Sequence, residues 1–351
     1  MAALTTFLRK AYMIGARYTG VSSLLSPVLG GVGAILMLHH VSPRQSGCGL
    51  NAHLCVTPDF LQRLLEGLRD DGVVFVSMDE AADRLSAGHG DEHFIAVTLD
   101  DGYRDNLQYA APVFRALDVP YTIHVCPGLI DGAADLWWEL LERVVDDHDA
   151  VTYETADGPK TLDCRSVRQK HYSYCVLMEH ATQALDEDAQ RVFVRRLSET
   201  YGIDRDEHRR TQLMGWDEIA SLATDRLAAI GAHTVNHYQL RRLERDRALS
   251  ECVRSADILE ERLGERPRHF AFPYGKQNAA GAREVELARE AGFTTAVTTR
   301  HGVLLPGHAE RMHALPRISV NGYYQRVGYV QTMLTGITVP AANYGRRLVT
   351  V

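Results

Sequence analysis

The sequence predicts an α/β fold in which parallel strands carry helices outside them, closed into a barrel or opened as a doubly wound sheet. Two observations predict it. Short apolar runs, AILML, VVFVSM, FIAVTL, YTIHVC, LAAIGAH, HFAFPY, TTAVTT and ALPRISV, are mostly separated by longer stretches with helical periodicity. The residues best able to carry chemistry fall just past the ends of those runs, on what would be one face of a parallel barrel.

Taken in order, residues 34–38 (AILML) are short and apolar, with glycine before and His39-His40 after, as in a buried strand. Thr57-Pro58 reads as an N-cap with proline at the first helical position, and Phe60, Leu61, Leu64, Leu65 and Leu68 follow at helical spacing up to Gly72. VVFVSM is the next strand, and Ser77 with Glu80 forms a capping-box pattern. Residues 105–117, 246–263 and 283–291 read as helices between the later strands. Across 137–214 the pattern changes to a polar stretch around 153–162 and then long helical runs, an insertion on the scaffold. Residues 1–33 and 321–351 read as terminal extensions of a domain spanning 34–320.

Composition narrows the function. The 351 residues are 45% hydrophobic and 24% charged, with ample length for a core. The net charge of −7 argues against a nucleic-acid partner, since no basic stripe collects phosphates, and favours a neutral substrate. Six cysteines (Cys48, Cys55, Cys126, Cys164, Cys175, Cys252) lack C-x-x-C spacing and read as mostly free thiols. Residues 19–38 carry no charge and follow Arg9, Lys10 and Arg17, the pattern of an export signal or membrane anchor. Pro27, Gly30, Gly31 and Gly33 interrupt the stretch and no A-x-A site follows, so the expectation is a cytoplasmic or membrane-associated protein rather than an exported one. Association with a membrane surface stays open.

The candidate residues are His39, Asp100-Asp101, His233 with His237, and Pro273-Tyr274-Gly275, each at a strand end. Two imidazoles and one carboxylate form a three-ligand set for a divalent metal with a position left for water or substrate. A dication beside Asp101 would also let two adjacent carboxylates stay ionised, one binding metal and the other handling protons, with Gly102 turning the backbone. Each piece has a plainer reading. Asp100-Asp101 alone suits a turn or N-cap, His39-His40 a packed and an exposed histidine, and His89/His93 a solvated loop. Trp137-Trp138 suit helix packing as well as sugar stacking. No strand-end Ser or Cys nucleophile with a suited base is visible.

TLDDG (98–102), HTVNH (233–237) and FAFPYG (270–275) resemble, in type and order, the motifs of the polysaccharide deacetylase family, the NodB-homology carbohydrate esterases. The resemblance covers about 34–320 and implies an irregular (β/α) barrel, deformed from the TIM type, of about seven strands with a mainly helical insertion. It implies Asp101, His233 and His237 as metal ligands, zinc by default, Asp100 as general base and the Tyr274 N–H as oxyanion donor. The arginine that orients the base in many members is Ala271 here, and Arg317 in LPRISV is the candidate replacement. That departure resembles a circularly permuted branch, similar to poly-N-acetylglucosamine deacetylases, whose acid histidine lies near the N-terminus. LMLHHV matches that element, making His39 the expected general acid, His40 the fallback and His313 a rival.

The implied reaction is hydrolysis of N-acetyl groups on an amino-sugar polymer or oligosaccharide, chitooligosaccharide or poly-N-acetylglucosamine-like, with Trp138 a candidate substrate contact. The alternatives are deacylation of a lipid-linked or small-molecule amide, and a catalytically silent carbohydrate-binding barrel.

Overall fold

In the computed structural model, which describes residues 2–43, 49–88 and 92–351, eight parallel strands form the central sheet. They are β1 (Gly33–Leu38), β2 (Val74–Val76), β3 (Phe94–Asp101), β4 (Tyr121–Val125), β5 (Ala228–Ala232), β6 (His269–Ala271), β7 (Thr295–His301) and β8 (Leu315–Ser319). Their order is β1-β8-β7-β6-β5-β4-β3, and β1 pairs β3 from Gly33/Phe94 to Leu38/Leu99, closing seven strands into a barrel. One edge of β3 is shared, by β2 along 94–96 and by β4 along 97–101. β6 meets β5 through the single pair Phe270/Ala232, and the β7–β8 register shifts between Val297 and His301. These breaks make the (β/α) barrel irregular, as the family resemblance implied.

Two-residue periodicity sorts the strand side chains. Leu36, Leu38, Ile95, Val97, Leu99 and Phe270 belong to the main core beneath the helices. Ile35, Ala96, Ala271, Val297 and Leu315 form a separate apolar plug. Two residues further along the same strand faces come Thr98 and Arg317, and then Asp100, all at most 2% exposed. The barrel interior thus turns from apolar to charged as its strands run toward their C-terminal ends, where parallel barrels carry their chemistry.

α1 (Ala2–Tyr18) and α2 (Val21–Leu29) precede the barrel. The uncharged stretch 19–38 therefore splits between α2 and β1, and no helix among the described residues is long and apolar enough to cross a membrane. α3 (Pro58–Asp70) buries the expected leucine face and takes its N-cap from Thr57, which accepts from Phe60 N at 3.3 Å. At α4 (Met78–Ala87) only half of the expected capping box forms. Ser77 accepts from Glu80 N at 3.1 Å, while the Glu80 carboxylate is drawn instead to Arg84 at 2.8 Å.

The segment after β4 contains α5 (Trp137–Asp146), α6 (Val167–Glu179), α7 (Glu187–Thr200) and α8 (Arg205–Gln212). Between α5 and α6 the polar stretch is an antiparallel hairpin, Ala150–Thr155 with Gly158–Asp163, that buries Val151 and Tyr153. Its two-residue turn is Ala156-Asp157, and Gly158, at φ 102°, opens the return strand opposite Thr155. Further on, α9 (Arg245–Leu263) follows β5 and α10 (Val327–Leu334) follows β8. The five described cysteines are free, and Cys48 and His89 lie outside the described residues. His93 is half-buried, its Nε2 3.3 Å from the Gly30 carbonyl, so this half of the pair expected in a solvated loop is packed.

Candidate active site and metal centre

β3 ends on two carboxylates because its last residues leave the strand conformation. Asp101 has φ 77° and Gly102 φ 81°, so the chain turns sharply while Asp100 stays in the barrel interior. His233 directly follows β5, donates its backbone N–H to Val125 O at 3.0 Å and holds Nδ1 2.7 Å from the Ala271 carbonyl. That leaves Nε2 facing Asp101. The Nε2 atoms of His233 and His237 lie 3.4 and 3.3 Å from Asp101 Oδ1. Neither contact has hydrogen-bond alignment, so this buried oxygen is without a hydrogen-bond partner among the described residues.

Ligand atoms of the three residues lie within 4.8 Å of one another. A buried His2Asp set with an unsatisfied carboxylate oxygen fits a divalent first-row cation, and the carbonyl on His233 Nδ1 is the outer contact that fixes a metal-binding imidazole. Burial alone would raise the Asp101 carboxyl, but the two imidazoles hold it far below the usual carboxylate range. Burial lowers His237, favouring the neutral form that a ligand needs.

The 233–237 loop is held from three sides. Glu251 of α9 accepts from Val235 N at 3.0 Å, Asn236 N at 2.8 Å and Asn236 Nδ2 at 2.7 Å. Arg191 of α7 donates to the Asn236 and His237 carbonyls at 3.2 and 3.0 Å. Gly128 N donates to Val235 O at 2.7 Å, and a Cβ on Gly128 would stand 2.5 Å from that oxygen. Among the described residues, four of the six non-glycine positions with positive φ are Asp101, Thr234, His237 and Tyr274. Backbone strain is therefore concentrated at this mouth, held in place by the surrounding bonds.

Arg317 reaches Asp100 across the barrel interior in a two-pronged pair, Nη1 to Oδ1 at 2.8 Å and Nη2 to Oδ2 at 2.7 Å. It also donates to Thr98 Oγ1 at 3.1 Å and the Thr298 carbonyl at 2.9 Å. Ala271 lies in the apolar plug instead, so the cation beside Asp100 comes from β8 and not from β6. Burial would raise the Asp100 carboxyl, yet the guanidinium holds it well below the carboxylate range. His124 Nδ1 lies 3.2 Å from Asp100 Oδ1 without hydrogen-bond alignment, and burial keeps this imidazole down at about 4. A Cβ on Gly231 would meet His124 Cδ2 at 2.4 Å, which explains the glycine.

Tyr274 has φ 61° and its amide donates to no acceptor among the described residues. Its carbonyl accepts from Thr299 Oγ1 at 2.6 Å, and its hydroxyl accepts from Trp137 Nε1 at 3.1 Å. Trp138 stands with its ring 4.8 Å from that of His237 and donates Nε1 to Tyr103 Oη at 3.2 Å. With 7% exposure it walls the metal site.

His39 follows β1 into the same mouth. Burial lowers its imidazole against the opposing pull of Asp101 and Asp100. His40 turns elsewhere, Nδ1 to Asp105 at 2.7 Å and Nε2 to Glu139 at 3.0 Å. His313 precedes β8, at the end of the strand opposite the mouth, with Nε2 2.7 Å from the Phe293 carbonyl. Of the two rivals for the acid, His39 is near the carboxylates and His313 is not. Sequence reasoning missed Glu251, Arg191 and His124. The last had a signal, a lone imidazole inside the apolar run YTIHVC.

The family model for polysaccharide deacetylases matches residues 192–296, which contain HTVNH and FAFPYG. This segment belongs to the polysaccharide deacetylase family. The motifs and the family model name the same family, whose members are carbohydrate esterases of N-acetyl amide bonds, the enzyme class expected from the sequence. No curated protein matches. Among solved structures, the deacetylase PplD from Streptococcus pyogenes in complex with acetate aligns at TM-score 0.56 with 19% identity, over 86% of this chain and 97% of that one. IcaB from Ammonifex degensii aligns at 0.53 with 19% identity, over 86% and 97%. A de-N-acetylase from Aggregatibacter actinomycetemcomitans aligns at 0.54 with 13% identity, over 86% and 99%. At these identities the likeness shows the barrel fold, which extends well beyond the matched segment.

Proposed function

We propose that the protein is a metal-dependent hydrolase removing N-acetyl groups from an amino-sugar polymer or oligosaccharide. The observation that carries this is one mouth holding the Asp101, His233 and His237 donors beside the Asp100–Arg317 pair. Asp101, His233 and His237 would hold the ion, with zinc the default for this set. When bound, it supplies Lewis-acid polarisation of the acetyl carbonyl and acidification of the attacking water.

Asp100, kept ionised by Arg317, takes the proton from that water as its oxygen bonds to the carbonyl carbon. The Tyr274 N–H, unoccupied and fixed by a strained turn, donates to the oxyanion that develops. His39 then gives a proton to the departing nitrogen as the C–N bond breaks, releasing acetate and a free amine. Trp137 and Trp138 hold Tyr274 and His237 in place, so their part is positioning.

Acetate release from N-acetylglucosamine oligomers, assayed with metal content, tests the reading. Turnover that tracks metal occupancy supports it, and a fully loaded protein releasing no acetate from any oligomer would reject it. A lipid-linked amide is the second reading, favoured by the exposed apolar residues of α1 and α2. Faster turnover on lipid-linked than on soluble sugars would select it.

A further inference from the structure

α1 and α2 are turned inside out. Among the described side chains of α1, Met13 and Ala16 are buried and face the barrel side where α10 packs. Phe7, Ala11, Ile14 and Tyr18, spaced along one helical stripe, are exposed, and Leu8 lies beside them. α2 goes further, burying Ser22 while Leu24 is 77% and Val28 57% exposed. Of the sixteen large apolar side chains exposed among the described residues, nine fall between Phe7 and Val28. Scattered exposed leucines need no explanation, but a contiguous set of this kind marks a surface built to be covered.

Charge says what covers it. Residues 1–33 contain Arg9, Lys10 and Arg17 and no Asp or Glu, in a chain whose net charge is −7. The C-terminal segment adds cations at the same place, since Arg347 donates to the Val28 carbonyl and Arg346 beside it is exposed. A second copy of the chain would set these cations against themselves. An anionic phospholipid surface would accept the apolar side chains into its acyl boundary and the rim of cations among its headgroups. Neither helix is of a kind to cross a bilayer, so the geometry is that of helices lying in the interface.

We propose that α1 and α2 form a membrane-docking face that seats the protein on anionic phospholipid. The experiment is co-sedimentation of the full chain with vesicles of phosphatidylcholine alone or mixed with phosphatidylglycerol, at low and high salt. Binding should require the anionic lipid, weaken with salt, and fall roughly tenfold or more in the Leu24→Glu, Val28→Glu double variant. Both positions are exposed, and an unchanged melting temperature and unchanged acetate release from soluble oligomers would show the variant folded. Arg9→Gln with Lys10→Gln should weaken binding while leaving the apolar face intact. Failure to sediment with either vesicle, or sedimentation that the double variant leaves unaltered, overturns the proposal. So would a dimer, seen by light scattering, that the same double variant disperses, because a second copy would then be the cover.

Discussion

At Asp100 two demands meet: the carboxylate must stay charged inside a barrel and must still accept a proton. Arg317 meets the first through a fully buried two-pronged pair. Asp100→Asn keeps the shape and removes the base, so acetate release should fall by about two to four orders of magnitude with metal content unchanged. Full retention of turnover would remove Asp100 from the mechanism. Arg317→Met acts differently, because it leaves a carboxylate buried without its cation. Loss of one partner of such a pair costs about 3–5 kcal/mol, read as a drop in denaturant midpoint. The sign with pH follows from the depressed carboxyl. Its stabilisation is present above the unfolded value of about 3.9 and is lost as pH falls through the folded one. Arg317→Met should therefore move the acid limb of the activity profile to higher pH, whereas a purely structural arginine would leave that limb in place.

Between residue and fold stand the strand ends, and here the sequence was informative in an uneven way. Parallel strands share a polarity, so apolar runs ending in His39, Asp100-Asp101 and His233 already placed those residues on one face. The pairing of Arg317 with Asp100 was only a guess from sequence, because 217 positions separate them and the closure of β1 onto both β3 and β8 sets their meeting. The hairpin after α5 was hidden by its polar exposed face, and Glu251 by lying on an ordinary amphipathic helix. Yet Glu251 makes three bonds to the loop that carries both imidazoles. Glu251→Ala should leave the barrel folded and weaken metal affinity about 10–100-fold, the usual cost of losing an outer-shell support. Competition with a chelator would measure it, and an unchanged affinity would show that Arg191 and Gly128 suffice. His233→Ala and His237→Ala, by contrast, should abolish stoichiometric metal outright.

Across the whole molecule, one part-buried ionic cluster helps fasten the helical segment between β4 and β5 to the barrel mouth, beside the bonds of Arg191 and Trp137. His40 after β1 lies between Asp105 after β3 and Glu139 of α5, and Glu139 reaches on to His208 of α8 at 2.9 Å. Tyr103 lies against His40 with the rings tilted by 34° and centroids 3.6 Å apart, and also accepts from Trp138, so the cluster adjoins the wall of the metal site. Its pH response has two edges. Burial would raise Glu139, but His208 and His40 hold it at about 2, so its contribution is complete above the unfolded value of about 4.3 and fades as pH falls toward 2. Burial would lower His40, but Asp105 and Glu139 raise it well above 6.5, so its contribution is complete below about 6.5 and is lost as pH rises through the elevated folded value. The cluster therefore stabilises most between roughly pH 4.3 and 6.5, with losses on either side. His40→Gln, compared with the parent by thermal melting across pH, should cost most inside that window and progressively less in alkali, where the parent has itself lost the imidazolium. A penalty that stays constant from pH 6 to pH 10 would mean that His40 packs against Tyr103 as a neutral ring and that its charge plays no part in holding the segment to the barrel.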